Sequence, residues 1–378
     1  MLQVIASATP DTTSVPATVV LSGPLALVTG GSLTTTADLV GVFNGGSVSS
    51  TTDSALIRIV NSIVTAGSAT PPIFGRALFL TGQGGPGGTA FATMSLGGPF
   101  WNSIDGTLTL TGGLVGVFAG AQIIAGGTGD PFASITGGTH SIGTLPGSSI
   151  FFLAGRSTAT TVETVDDVAI TRGTDQPITT GRTLLATSAA SINGQAGATF
   201  DTMLFQATAP IFSASAGSNL TFANDAVLFS KNVKMTTVAP LVALNASRLT
   251  STKGAILNLN SSLLQASGDL FSLSNGSLLQ TLNGPLIRVA NGSVLSVAGA
   301  LAAFFGAGNV INVTNNLCAA GGCLTLAGGI TVAVTPGSNV SIGPNPFRNP
   351  ASGSLVKSAN AAVIVIQGNS RVTIVGAP

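Results

Sequence analysis

Residues 239–316 repeat with a period of about 15, and that repeat restricts the chain more than any other feature. The units are APLVALNASRLTSTKG (239–254), AILNLNSSLLQASG (255–268), DLFSLSNGSLLQTLNG (269–284), PLIRVANGSVLSVAG (285–299) and ALAAFFGAGNVINVTNN (300–316). Leu241, Ile256, Leu270, Leu286 and Leu301 form one aliphatic column, and Leu249, Leu264, Leu278 and Val294 form a second. Two residues after the first column stand Ala243, Asn258, Ser272, Arg288 and Ala303, followed by Leu244, Leu259, Leu273, Val289 and Phe304. That alternation has the period of a strand, one side chain outward and the next inward. Between the apolar segments lie NAS, NSS, SNGS and ANGS, and between units lie Gly254, Gly268, Gly284 and Gly299. Asn and Gly tolerate positive φ, so each unit reads strand, turn, strand, turn.

Two short strands cannot bury both columns alone and must stack on neighbouring units. The expectation is an all-β chain forming a single elongated β-solenoid, a parallel β-helix. Weaker copies at 24–38, 38–53, 55–67 and 209–225, and the echo of ALIRIV (55–60) in PLIRV (285–289), extend it toward the N-terminus. The chain divides into first strands or an arm at 1–23, repeats at 24–360 and terminal strands at 361–378. One unit per coil would give roughly 25 coils and a rod of about 120 Å; two units per coil would halve that.

Composition narrows the function. Of 378 residues only 7% are charged, against about 25% in an average domain, while 44% are hydrophobic. Such a chain can bury a large core without ion pairs. The net charge of +1 and the first lysine at Lys231 leave no basic stripe for a phosphate backbone, so nucleic acid is not an expected partner. The longest suspicious apolar run, Val297–Gly308, is too short for a transmembrane helix, and a chain with no Tyr and one Trp (Trp101) lacks the aromatic girdles of a membrane barrel. Met1–Asp11 has no basic n-region followed by an apolar stretch, so no secretory signal is read there.

Tandem hydrophobic units with NGS, GGS and TGG turns and a Ser/Thr/Gly/Ala/Asn surface resemble the β-helical exoproteins of bacteria, the autotransporter passengers and filamentous-haemagglutinin-like proteins. The resemblance implies a right-handed β-helix, export to the cell surface, and adhesion or matrix formation. The repeat here is shorter than is usual in that group.

Little catalytic chemistry is visible. Cys318 and Cys323 in LCAAGGCL are spaced for a disulfide closing a small loop, with two buried free thiols as the alternative in a reducing compartment. The densest acidic group is Glu163, Asp166, Asp167 and Asp175, near Arg156, Arg172 and Arg182; it is read as a solvated loop with ion pairs ahead of a Ca²⁺ site or a sugar-cleaving carboxylate pair. His140, the single imidazole, is expected in a turn, without a nucleophile elbow beside it. GQGGPGG (82–88) lacks the Lys-Ser/Thr ending of a phosphate loop and is read as a plain loop. Thr107, Thr109 and Thr111 would align three hydroxyls, a single row. Sequons occur at Asn219, Asn245, Asn260, Asn275, Asn291, Asn312 and Asn339, candidate glycosylation sites in an exported chain; several coincide with the repeat turn, where backbone preference alone accounts for Asn.

No catalytic residue, metal ligand or cofactor is therefore expected, and the chain is not read as an enzyme. The leading expectation is an extracellular or cell-surface structural protein whose partner is itself, head to tail, in a fibre, sheath or surface layer. Its warrant is that solenoid ends expose unpaired strand edges, with 361–378 and the Pro10 and Pro16 segment as the expected contacts. The alternative is a monomeric adhesin or carbohydrate-binding passenger that contacts surface glycans through exposed aromatics or a polar groove on one face.

Overall fold

A computed structural model describes residues 2–5, 17–82, 91–127, 129–348 and 354–378. The Pro10 and Pro16 segment and all of GQGGPGG but its first glycine lie outside the described residues. The chain is an all-β parallel solenoid whose coils visit four faces, here A to D in chain order. The first coil consists of Leu2–Ile5 on face A, Thr18–Leu21 on B, Ala26–Thr29 on C and Ser32–Thr35 on D, and each strand pairs in parallel with its counterpart in the next coil. Among the described residues three pairs run antiparallel: Thr160–Val165 with Val168–Gly173, Ile63–Ala69 with Pro72–Phe74, and Cys323–Thr325 with Thr331–Val334.

A unit of the repeat supplies two faces, so a full turn takes two units: Val227 pairs with Leu257 and Leu257 with Ile287, each step 30 residues. The early coils are longer, with Leu2 opposite Val40 and Val40 opposite Leu78, steps of 38. Face C carries ten strands, which at about 4.8 Å per rung make a rod of about 45 Å. That is near the shorter of the two expected lengths.

The first aliphatic column and the inward row Leu244, Leu259, Leu273, Val289 and Phe304 are buried as expected. The second column slips by one. Leu249 stands opposite Leu279, not Leu278, and Leu264 opposite Leu295, not Val294. The cause is the turn. NAS turns through one left-handed residue, Ala246, whereas SNGS uses two, Asn275 and Gly276 (φ 56° and 77°), and the extra glycine moves every following side chain one place. Leu278 faces outward, half-buried. Val294 also faces outward but is covered, with Leu263, by Ile170 of the Thr160–Gly173 hairpin, which folds back over face B.

The serines of these turns form buried ladders. Ser262 and Ser293 each donate a hydroxyl to a carbonyl of their own turn, Asn260 at 2.7 Å and Ala290 at 2.5 Å, and Ser293 Oγ accepts the Ser262 N–H at 3.0 Å. The ladder continues from Ser293 to Ser370 and from Ser370 to Ser338, an order the chain itself does not follow. On faces A and B the last strands, Ile364–Ile366 and Arg371–Ile374, lie between the ninth coil (Ile287–Ala290, Val294–Val297) and the strands Thr331–Val334 and Asn339–Ile342 that precede them in sequence. On faces C and D, Phe347–Arg348 and Leu355–Lys357 pair directly with the ninth coil. The chain end is tucked under an arc already laid down. The open edge expected at 361–378 is therefore not there, since both strands are paired on both sides.

Candidate functional site

The free edges lie elsewhere. In the first coil all four strands pair on one side only among the described residues. Leu2, Leu25, Ala26, Val28 and Leu33, which continue the inward rows, are left half-buried around an apolar recess of about 300 Å³ floored by Leu39 and Val40. Val20 and Leu27 beside it are 70% and 63% exposed. At the other end Asn339–Ile342, Phe347–Arg348 and Leu355–Lys357 have one partner each among the described residues, while face A is closed by the antiparallel strand Cys323–Thr325. Cys318 and Cys323 form a disulfide at the start of that strand. It spans a short loop at the margin, so its reduction should lower stability by only about 2 kcal/mol. Thermal melts with and without reductant check this, the main transition being retained.

The acidic group does not converge. Asp166 and Asp167 are exposed at the hairpin tip, both with positive φ. Glu163, in the hairpin body, bonds Arg172 at 3.0 Å and Lys234 of the rod wall at 2.8 Å. Burial would raise its pKa, but the two cations outweigh burial and hold it below the ordinary range. Asp175, at the hairpin base, is pulled the same way: burial raises it, and a two-pronged contact from Arg156, at 2.9 Å on each oxygen, more than offsets that. Arg182 is apart and buried, donating to the carbonyls of Gly126, Asp130 and Gly97. These groups fasten a hairpin and a loop to the rod. No three His, Cys, Asp or Glu side chains among the described residues are placed to share a metal ion.

His140 is not in a turn. It lies in the strand Thr139–Ile142 and points into the core, fully buried, where it occupies an inward row. Its Nδ1 accepts the Leu108 N–H at 3.3 Å and its Nε2–H donates to the Gly137 carbonyl at 2.8 Å, which fixes the neutral ring. Burial lowers its pKa from 6.5, the Gly137 bond opposing only in part. The unfolded chain therefore takes up the proton first. Stability is complete above about pH 6.5 and declines as the pH falls toward the depressed folded value. Urea midpoints measured from about pH 7 to pH 5 should show this slope, and His140→Leu should flatten it.

Thr107 and Thr109 face outward, but Thr111 turns in, its hydroxyl accepting the Gly75 N–H at 2.9 Å and donating to the Ile73 carbonyl at 2.7 Å. Thr34 and Thr65 align with Thr109 on neighbouring rungs, a continuity that the sequence had not disclosed. Of the sequon residues, Asn275 and Asn291 donate their amides to Asn245 and Asn260 one coil away, at 2.7 and 2.6 Å. Asn219 and Asn339 open strands and Asn312 lies within one. Trp101 is fully buried. Phe74 and Phe305 are exposed, and four half-buried outward rings, Phe43, Phe79, Phe118 and Phe152, run along face A at 4.8–5.4 Å between successive centroids, with the Arg76 guanidinium over Phe79 and Phe118. Gly41 and Gly116 leave room for the Phe43 and Phe118 rings. The repeated LVGVF at 39–43 and 114–118 was the available signal for this ladder.

No helix among the described residues is long and apolar enough to cross a membrane. The fold defines a parallel β-solenoid, and no family model, curated protein or solved structure matches the chain.

Proposed function

We propose that this is an extracellular structural solenoid that associates with copies of itself through its ends. The observation that carries the reading is the first coil, where unpaired edges on four faces surround an apolar recess and no described residue covers it. Apolar surface at about 25 cal/mol per Å² and a row of unmet backbone groups both favour a mating surface there. The far end offers open strands on faces B, C and D, so a second copy laid head to tail would continue three sheets in parallel, with the Cys323–Thr325 strand bordering the fourth. Such a contact is heterologous and propagates. The scarcity of charge on the rod suits a packed matrix.

The test is electron microscopy together with sedimentation velocity over a range of concentrations. Native protein should form fibres or concentration-dependent oligomers, and Val28→Lys, which puts an ammonium into the recess, should leave rods of about 45 Å. A native chain that stays monomeric at every concentration overturns the proposal. Deleting 361–378 cannot serve, because it removes strands from inside faces A and B.

A further inference from the structure

A column of outward side chains on face B runs through Gln206, Thr236, Gln265, Ser296, Thr373 and Ser341, one residue per rung and in register throughout. Over its first four members lies a recess of about 390 Å³. Thr208, Val238 and Ser267 at the corner between faces B and C form one side. On the other side the neighbouring column, with Leu263 and Val294, is roofed by the Thr160–Gly173 hairpin, which stands proud of the sheet. No ionised side chain lines the recess; on the adjacent column Lys234 is engaged by Glu163, and Arg371, beyond the recess beside Thr373, donates to the Gly337 carbonyl.

The chemistry selects an occupant. Amides and hydroxyls both donate and accept, and here they recur at about 4.8 Å beside methyl and methylene carbon. An anionic polymer would find no cation in the lining of the recess. A peptide strand would find no edge at Val227–Thr237, Leu263–Ala266 or Val294–Val297, which are paired on both sides, and on the first rung the face-B half of Ala198–Ala207, paired on one side, has Ile178–Thr180 lying against its other side. The flat face of a second rod would meet the raised hairpin. A slender, uncharged chain rich in hydroxyls fits all three conditions. We propose that this recess binds a neutral linear polysaccharide lying along the rod axis, a role independent of association through the ends.

The experiment is affinity electrophoresis of the full chain in native gels containing xyloglucan, galactomannan or dextran, with pull-down on cellulose and chitin particles and polygalacturonate as the anionic control. Mobility is read against a glycan-free gel, so self-association does not enter the ratio. At least one neutral glycan should retain the protein, unchanged in about 0.5 M salt. The double variant Gln206→Ala/Gln265→Ala should weaken retention about tenfold, and Ser296→Trp, which fills the recess, should do the same. All three positions face outward, and unchanged circular dichroism verifies the fold of each variant. Retention by none of the neutral glycans, retention undiminished in both variants, or retention by polygalacturonate alone that salt abolishes would each overturn the proposal.

Discussion

Ile364→Asp should release the last coil while leaving the rest of the rod standing. Ile364 is fully buried and sits between Ile287 of the ninth coil and Val332 of the overlying arc. An unpaired carboxylate there costs several kcal/mol, more than a strand of three residues can offset, and expulsion of 361–378 is the cheaper response. Without the intervening strands, Thr331–Val334 keeps only the antiparallel Cys323–Thr325 and Asn339–Ile342 loses its partner, so both arcs should become accessible together. Limited proteolysis should then cut between 314 and 378 and leave a resistant core with most of the β-sheet signal. Thr373→Asp, outward on the same arc, should stay within about 0.5 kcal/mol of the parent. Equal protease resistance in the two variants would contradict the tucked arrangement.

Trp101→Ala should be the most costly single truncation, about 3–5 kcal/mol from lost burial and the cavity left behind. The indole is completely buried, lies 6.1 Å from Phe100, and is flanked on adjacent rungs by Ile57 and the small Ala133. Its Nε1–H has no hydrogen-bond partner. That orphan donor separates two effects, since Trp101→Phe loses volume but also removes a desolvated N–H, and the two should nearly cancel to within about 1 kcal/mol. Urea denaturation followed by far-UV circular dichroism compares all three proteins on one scale. A similar loss for Phe and Ala would mean that the ring's volume, not its donor, governs the site.

The solenoid itself was legible because its cause is local and repeated. Alternation with period two, Asn and Gly at turns, and columns such as Leu241 to Leu301 are all readable within one unit. The register was less so. Whether Leu278 or Leu279 faces inward depends on whether the preceding turn spends one or two left-handed residues, and SNGS looks much like NSS in a string of letters. GGTHSIG is rich in turn formers and reads as a turn, whereas the inward position of His140 is decided in part by Leu108 of the neighbouring coil, which its own segment cannot announce. The Gln206 to Ser341 column is not legible in the sequence for a related reason. Its members are ordinary surface residues until the coils are superposed, and the hairpin that gives the column its wall is an insertion outside the repeat. Of the acidic group expected in a solvated loop, Glu163 and Asp175 are ion-paired on a hairpin and at its base, while Asp166 and Asp167 stand exposed at its tip; Lys234, which secures Glu163, lies 71 positions further on.

The tucked end bears on how the molecule is made. From Val227 to Val313 each strand finds a neighbour about 30 residues back, so coils can be added as fast as short loops close. Ile364 must instead find Ile287, 77 residues away, and enter a gap bordered by an arc synthesised before it. Non-local closure of this kind slows folding, so the final insertion should be the late kinetic phase of a chain whose other steps are quick. Unravelling is altered in the same measure. A strand at a free edge peels by losing one row of hydrogen bonds, whereas withdrawal of this terminus must break two at once, and the rod resists fraying at the point where a linear repeat is ordinarily weakest.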